Sequence, residues 1–148
     1  MTSTAPSTAT HPVPDSHGGN LYAADAELQA LLPLYLPADL CAHLQPHLQR
    51  LGALAGGVLD TLAQTADQNP PTLQHRTRTG IDAQRIVKHP AYIDLERVAF
   101  SDYGLAAMSH RSGVLGWHAP MPAAAKHALT YLFAQAELGL RCPLSMTD

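Results

Sequence analysis

An apolar stripe runs through residues 40–62, LCAHLQPHLQRLGALAGGVLDTL. Its apolar positions recur every three or four residues, the spacing of one helix face: Leu40, Leu44, Leu48, Leu51, Ala55, Val58 and Leu62. Pro46 lacks an amide and crowds the carbonyl four residues earlier, so we expect a kink or break just before it. Gly52, Gly56 and Gly57 lower helix propensity, but such small residues let a neighbouring helix approach closely.

The residues before this stripe predict a tail and one short helix. Residues 1–19 are mainly Thr, Ser, Ala, Pro, His and Gly, with a single charged side chain. Such a segment buries too little apolar area to offset its ordering entropy, which predicts a flexible tail. Asp25 is suited to cap a first short helix, which Pro33 closes or bends. Pro37 suits the first turn of the helix that carries the stripe.

A segment without helical periodicity follows the stripe. Asn69-Pro70-Pro71 stops the helix, because neither proline can continue it. Residues 72–89 carry four Lys or Arg and one Asp. We expect an ordered, extended crossing segment here, with short strand character.

Two helices are predicted in the last third of the chain. The first begins at Pro90 and ends at about Asp102. The second shows the cleanest apolar face of the chain: Ala125, Leu129, Leu132, Phe133, Ala136 and Leu140. Cys142-Pro143 stops it, and residues 144–148 have the pattern of a beginning strand. The sequence therefore predicts an all-α fold that ends where a β-domain starts.

Composition limits the partners of this chain. Hydrophobic residues make up 46% and charged residues only 14%, and the net charge is −3. This balance argues against nucleic-acid binding, which needs clustered positive charge. Few charges are available to cover the apolar stripes, so we expect further domains or a second copy to cover them. The two cysteines and the lack of a signal peptide or membrane span fit a cytoplasmic protein.

Candidate chemistry from residue spacing alone is sparse. His43 and His47 are four residues apart and close to Cys41, which is the spacing of two zinc ligands on one helix face. No third or fourth ligand has a matching spacing, so solvated or packed histidines are the preferred interpretation. The chain has no GxGxxG, GxxxxGK or GxSxG motif, and thus no signature of a dinucleotide fold, a P-loop or a serine hydrolase.

Four separated motifs resemble the acyl-CoA dehydrogenase superfamily, and most closely its DNA-alkylation-response (AidB-like) branch. The likeness extends from Asn20 to Asp148. It rests on the order and spacing of these motifs: Asn20-Leu21-Tyr22 with Asp25, Asn69-Pro70-Pro71, His89-Pro90-Ala91, and Cys142-Pro143-Leu144-Ser145-Met146-Thr147.

The resemblance implies a flavoprotein of three domains: an N-terminal helical domain, a middle β-domain and a C-terminal helical bundle. It implies FAD as the cofactor, with Met146 and Thr147 on the flavin side, and an acyl-CoA thioester as the substrate. The catalytic base of such enzymes lies in the C-terminal bundle, so no catalytic residue is assigned. Glu96 and Glu137 are interpreted as surface or interface carboxylates.

This likeness divides the chain into a flexible tail (1–19), a helical domain (20–143) and the start of a β-domain (144–148). The first functional hypothesis is the N-terminal part of an FAD-dependent oxidoreductase, inactive without its other domains and completed by them or by further copies. The alternative is a stand-alone, non-catalytic helical interaction module connected with the response to DNA alkylation.

Overall fold

The structure is a computed structural model that describes residues 15–146, so most of the predicted tail lies outside the described residues. Its architecture is all-α apart from one two-stranded hairpin. The elements follow in this order: α1 (Leu21–Ala24), α2 (Ala26–Tyr35), α3 (Ala38–Ala55), α4 (Val58–Gln68), β1 (Thr72–Arg76), β2 (Asp82–Val87), α5 (Pro90–Glu96), a π-helix (Arg97–Asp102), a short turn (Val114–Gly116), α6 (Ala123–Ala136) and α7 (Arg141–Ser145).

The predicted apolar stripe forms the centre of the core. The leucines of α3 that belong to it are almost completely buried, and they pack against α1, α4 and α6. The break expected before Pro46 is wrong, because α3 continues through it. Ala42 and Pro46 are both exposed, so the Ala42 carbonyl that loses its partner can be solvated. The chain breaks instead at Gly56-Gly57, between α3 and α4.

The glycines within and directly after α3 allow α1 and the residues before it to approach very closely, as their size predicts. A Cβ atom on Gly52 would collide with Asn20 and with the backbone of Tyr22, and one on Gly56 would collide with the Gly19 carbonyl oxygen. Asn20 caps α1 by accepting a hydrogen bond from the Ala23 amide, and its own amide group donates to the Gln49 carbonyl at 3.0 Å. The Asn20-Leu21-Tyr22 motif therefore locks the start of the domain onto α3.

Asp25 acts as a helix cap, but for the second helix of the structure. Its Oδ1 accepts from the Leu28 amide at 2.8 Å at the start of α2. The helix does not close at Pro33 but continues to Tyr35. A proline that far into a helix is tolerated here since both Gln29, whose carbonyl it would crowd, and Pro33 lie at or near the surface.

The extended segment is a hairpin that projects from the bundle and does not cross it. β1 and β2 pair antiparallel, with Leu73 opposite Ile86, and the ladder is irregular between Gln74 and Arg76. All residues from 71 to 87 are exposed except the half-buried Ala83. The predicted strand character is confirmed, and the segment leaves both of its strand edges open.

The helix predicted from Pro90 to Asp102 has the expected ends but changes its type. After α5, the Tyr103 amide donates to the Val98 carbonyl, five residues back, at 3.0 Å. This wide turn buries Val98, Ala99 and Tyr103 together while Asp102 stays in solvent. A regular α-helix would instead place residue 102 beneath Val98.

The carboxyl-terminal strand predicted from Leu144 is wrong within the described residues. α6 ends at Ala136, and Arg141–Ser145 forms the short helix α7. Leu144 is fully buried there, so a helical turn satisfies the apolar pattern that suggested a strand. Pro143 does not stop this turn, because amides in the first turn of a helix have no partner within it. Thr147 and Asp148 lie outside the described residues.

The helices enclose one hydrophobic cluster to which all the long helices contribute. Lys126 and Thr130 of α6 are the buried polar residues found beside it in residues 15–146. No helix in this range is both long and apolar enough to cross a membrane.

Candidate functional site

A cleft of about 340 Å³ opens where the π-helix ends, and we call it the π-helix cleft. Wide helical turns of this kind are frequent at functional sites. The cleft is lined by Phe100, Ser101, Asp102, Tyr103, Gly104, Ala107, Arg111, Ser112, Gly113, Val114 and Leu115. Its walls are thus the π-helix on one side and the loop before α6 on the other.

Left-handed backbone conformations shape the loop side of the cleft. Gly104 has φ +58°, and a Cβ atom there would lie 2.9 Å from Val114 Cγ1. Leu115 also has a positive φ of 51°, which is rare for a residue with a side chain. His43 of α3 holds this residue, because its Nε2 lies 3.0 Å from the Leu115 carbonyl oxygen. Helix α3 therefore fixes the position of the loop.

The charges of the cleft are unequal. Asp102 Oδ2 accepts a hydrogen bond from Arg97 Nη1 at 2.7 Å, so its charge is compensated. Arg111 is exposed and forms no ion pair within residues 15–146. The cleft therefore presents one uncompensated guanidinium among polar and apolar side chains, an arrangement suited to an anionic or strongly polar group of a ligand.

Tyr103 is the buried polar residue of this cleft. It is 4% exposed, and its hydroxyl has no hydrogen-bond partner in the described part of the chain. Burial raises the pKa of the Tyr103 phenol; the charge of Arg50 opposes this shift and that of Asp102 adds to it. The phenol is thus held in its neutral form.

His43 and His47, the pair considered as zinc ligands, make ring contacts and, for His43, a hydrogen bond to the backbone. The ring centroids of His43 and His47 are 5.4 Å apart, and the His43 ring packs on Trp117 at 5.0 Å. Cys41 Sγ lies 3.7 Å from the carbonyl oxygens of Leu32 and Leu36. Between residues 15 and 146, no three His, Cys, Asp or Glu side chains are grouped closely enough to hold a metal ion.

The residues of two sequence motifs meet at the base of the hairpin. Asn69-Pro70 and His89-Pro90 line one cavity of about 490 Å³. His89 Nδ1 caps α5 by accepting from the Ala91 amide at 3.2 Å. Pro70 also lines a neighbouring cavity, together with Glu137. The structure thus brings two distant motifs together, and the residues of these motifs end α4 and begin α5.

The two acidic residues singled out in the sequence have structural partners. Glu96 accepts a hydrogen bond from Lys88 Nζ at 2.5 Å, and the same ammonium lies 5.1 Å from the centre of the Tyr92 ring. Glu137 Oε1 accepts from the Gly139 amide at 2.6 Å, in the turn after α6. Neither carboxylate lines the π-helix cleft.

Met146 and Thr147 are the flavin-side residues of the resemblance, and of these two the structure describes Met146. Met146 is 79% exposed, and its amide donates to the Cys142 carbonyl at 3.2 Å. Thr147 lies outside the described residues. Met146 lines neither the π-helix cleft nor the cavities at the hairpin base. The position of both residues beside a flavin stays a prediction of the resemblance, and we derive no chemical step through one.

Sequence reasoning did not identify the π-helix cleft. Tyr103-Gly104 and Ser112-Gly113 mark the two turns that form it, but both pairs also fit ordinary loops. The spacing of the apolar residues after Pro90 does not reveal the extra residue in the turn of the π-helix. Arg111 is a single charge within a loop, and only the fold shows that it lines the same cleft as Phe100 and Val114.

The fold is that of a helical N-terminal domain of the acyl-CoA dehydrogenase type. Residues 12–148 match the model of the adaptive response protein AidB N-terminal domain, and the chain belongs to this family, a branch of the acyl-CoA dehydrogenase-like group. No curated protein matches the chain. A solved structure described as "Bd2924 apo-form" is similar, with a TM-score of 0.75 and 30% sequence identity over 89% of this chain. The similar region is 25% of that chain, so this domain spans a quarter of its length.

Proposed function

We propose that this chain is the N-terminal helical domain of an FAD-dependent, acyl-CoA dehydrogenase-like oxidoreductase that acts on acyl thioesters. In this proposal the π-helix cleft forms one wall of the acyl-ligand site. The observation that carries it is that Arg111, whose guanidinium has no ion pair among the described residues, lines the same cleft as the apolar Phe100 and Val114. Family membership supports the enzyme class.

The geometry of the cleft suits an apolar chain with a polar end. Phe100, Ala107 and Val114 offer apolar contact for the chain. Arg111 would donate hydrogen bonds to a thioester carbonyl or to a phosphate of the ligand, because guanidinium groups recognise such oxygens well. Asp102 does not oppose this binding, since Arg97 neutralises its charge.

In the proposed complete enzyme, the oxidation itself would be the chemistry of a bound flavin. We propose Met146 and Thr147 as the residues of this chain nearest to it, on the strength of the family motif alone. No catalytic base is assigned, and the hydrogen bonds of Glu96 and Glu137 support a structural role for both. On its own, the 148-residue chain is expected to retain little flavin and to catalyse no thioester oxidation.

The only tryptophan of the chain provides a direct test of ligand binding. Trp117 follows the loop of the π-helix cleft, and its carbonyl accepts a hydrogen bond from the Gly113 amide at 2.6 Å. Octanoyl-CoA should change its fluorescence saturably, whereas octanoate and CoA alone should bind more weakly. Arg111→Ala should weaken binding by about tenfold, as expected for loss of one charged hydrogen bond, and Arg111→Lys should weaken it less.

Arg141→Ala is the matched control, because Arg141 is an exposed arginine on α7. It should leave the octanoyl-CoA titration unchanged. The absence of a saturable response, or equal affinities of Arg111→Ala and the unmodified chain, would contradict the role of the cleft. Stoichiometric flavin absorbance and thioester oxidation by the isolated chain would contradict its role as a dependent domain.

A second candidate function is a stand-alone, non-catalytic interaction module. The observation that favours it is the single hydrophobic cluster, which the described residues form among themselves. Monomeric chains that unfold cooperatively and do not bind octanoyl-CoA would support the module over the enzyme domain.

Both cysteines support a cytoplasmic setting, which is part of the proposal. Cys41 is half-buried and Cys142 is exposed, and both are free thiols. Exposed free thiols persist in reducing compartments and are rare in oxidising ones. Thiol titration of freshly isolated native protein should detect Cys142, and its prior conversion to a disulfide would argue against this setting.

A further inference from the structure

The projecting hairpin carries apolar side chains that its own chain does not cover. Leu73, Ile81 and Ile86 are 50%, 66% and 63% exposed. Leu73 and Ile86 are cross-strand partners, so they lie on the same face. An isolated two-stranded hairpin is at best marginally stable in water, and further contacts are therefore expected to order it.

The hairpin segment and the rest of the chain have opposite charges. Residues 72–89 contain four Lys or Arg and one Asp, which gives +3. The remaining residues contain five Lys or Arg and eleven Asp or Glu, which gives −6. Arg76 is paired with Asp82, but Arg78 and Arg85 form no ion pair within residues 15–146. The positive charge at the hairpin tip is thus available to a partner.

A groove elsewhere on the molecule has the complementary character. Helices α2 and α6 enclose an apolar groove of about 220 Å³, the α2–α6 groove. Its lining residues are Leu28, Leu31, Leu32, Tyr35, Ala124, His127, Ala128 and Tyr131. Leu31, Tyr35 and Tyr131 are 47%, 69% and 45% exposed, so the groove is open to a partner.

Negative charge borders one end of the α2–α6 groove. Asp25 Oδ2 accepts a hydrogen bond from the Tyr131 hydroxyl at 2.9 Å. This bond raises the pKa of Tyr131, with smaller contributions from burial and from the charges of Asp25 and Glu27. Glu27 lies in the first turn of α2 and directly precedes Leu28, which lines the groove. It is exposed and forms no ion pair in the described residues.

We propose that the hairpin of one copy of this chain docks in the α2–α6 groove of a second copy. The side chain of Ile81 would enter the groove, and Arg78 would face Glu27 at its rim. Each copy has one hairpin and one groove, so a two-fold symmetric exchange uses both and closes as a dimer. The exchange also doubles the buried area, which brings two small contacts towards the size of a stable interface.

Charge reversal tests this pairing, with sedimentation velocity of the 148-residue chain as the measurement. The unmodified chain should form dimers. Arg78→Glu alone and Glu27→Lys alone should each raise the dimer dissociation constant by about tenfold or more, because like charges then meet at the rim. The double variant Arg78→Glu/Glu27→Lys should dimerise again, and so should an equimolar mixture of the two single variants.

An apolar control separates this interface from general stickiness. Ile81→Asp should abolish the dimer, whereas Val58→Asp, at an exposed position of α4, should leave it unchanged. Circular dichroism will show that the variants remain folded. Three outcomes overturn the proposal: a monomeric unmodified chain, single reversals without effect, and no recovery in the double variant. The first of these would assign the hairpin to another partner. None of them depends on acyl-ligand binding, so the two proposals fail separately.

Discussion

The hydroxyl of Tyr131 donates a hydrogen bond of 2.9 Å to Oδ2 of Asp25, across 106 positions of sequence. The other carboxylate oxygen of Asp25 accepts from the Leu28 amide at 2.8 Å. One side chain therefore both begins α2 and joins it to α6. This double use explains why an aspartate suits this position better than serine or threonine, which offer a single oxygen.

Removal of this connection should destabilise the domain in two steps. Tyr131→Phe should lower the free energy of unfolding by about 1 kcal/mol, since it removes one hydrogen bond. Asp25→Ala should cost about 1 kcal/mol more, because the helix cap is lost as well. Urea unfolding measures both. Tyr35→Phe, at a tyrosine that is 69% exposed, is the control and should change little. Equal losses from both variants would mean that the cap contributes nothing.

The glycine crossing of α1 over α3 should not tolerate a methyl group. Gly52→Ala gains about 1 kcal/mol of helix propensity but introduces a collision with Asn20 and Tyr22, and such overpacking costs about 1–3 kcal/mol. We expect a net loss of stability in thermal unfolding. Ala53→Leu, on the exposed side of the same turn, should be close to neutral. A more stable Gly52→Ala protein would show that the segment before α1 is not held as described.

Tyr103 should make the protein sensitive to alkali. Its pKa is raised in the folded state, so the unfolded state ionises first, and stability is lost as the pH rises above about 10. Tyr103→Phe should reduce this loss. Near neutral pH the variant should be as stable as the unmodified chain, or more stable by up to about 1 kcal/mol, since it removes a buried hydroxyl without a partner.

Unfolding by urea at neutral pH and at pH 10.5 measures these effects. Tyr22 and Tyr131 have pKa values shifted in the same direction, so part of the alkaline loss should remain in Tyr103→Phe. Tyr35→Phe again provides the control. Strong destabilisation of Tyr103→Phe at neutral pH would reveal a hydrogen bond of this hydroxyl.

His47 should contribute to instability in mild acid. Burial lowers the pKa of His47, and the charges of His43 and Arg50 lower it further. The unfolded state then binds a proton more readily, so stability is present above about pH 6.5 and falls as the pH falls below it. His47→Gln should flatten the decrease in melting temperature between pH 7.5 and pH 5. His75→Gln, on the exposed hairpin, should leave the decrease as it is.

Apolar spacing and caps predicted much of this fold. Three predictions were right because they depend only on residues one or two helical turns apart. They are the buried leucines of α3, the helix start at Pro90 and the helix cap at Asp25. The errors occurred where tertiary packing overrides local preference. Pro46 does not break α3, because buried leucines on either side hold the helix together. Leu144 is helical, because its side chain reaches the core from a short turn.

The candidate site was less accessible to sequence reasoning for a related reason. The π-helix cleft joins residues 100–107 to residues 111–115 through a wide turn and a left-handed loop. Its hydrogen bond from His43 spans 72 positions. Neither the wide turn nor this long-range hydrogen bond produces a residue spacing that a single sequence shows. The family motifs could be recognised in the sequence, but they lie outside the π-helix cleft.

The wide turn at Arg97–Asp102 links chain length to helix type in this part of the domain. A deletion of Ser101 would let the turn tighten into an ordinary α-helix, in which the Tyr103 amide still donates to the Val98 carbonyl, then four residues back. Tyr103 and Gly104 would keep their places. Without a deletion, an ordinary α-helix would rotate every later residue by about 100° about the axis and turn Tyr103 out of the interior. Relatives with one residue fewer between Val98 and Tyr103 should therefore have a regular α-helix here and keep the same pocket.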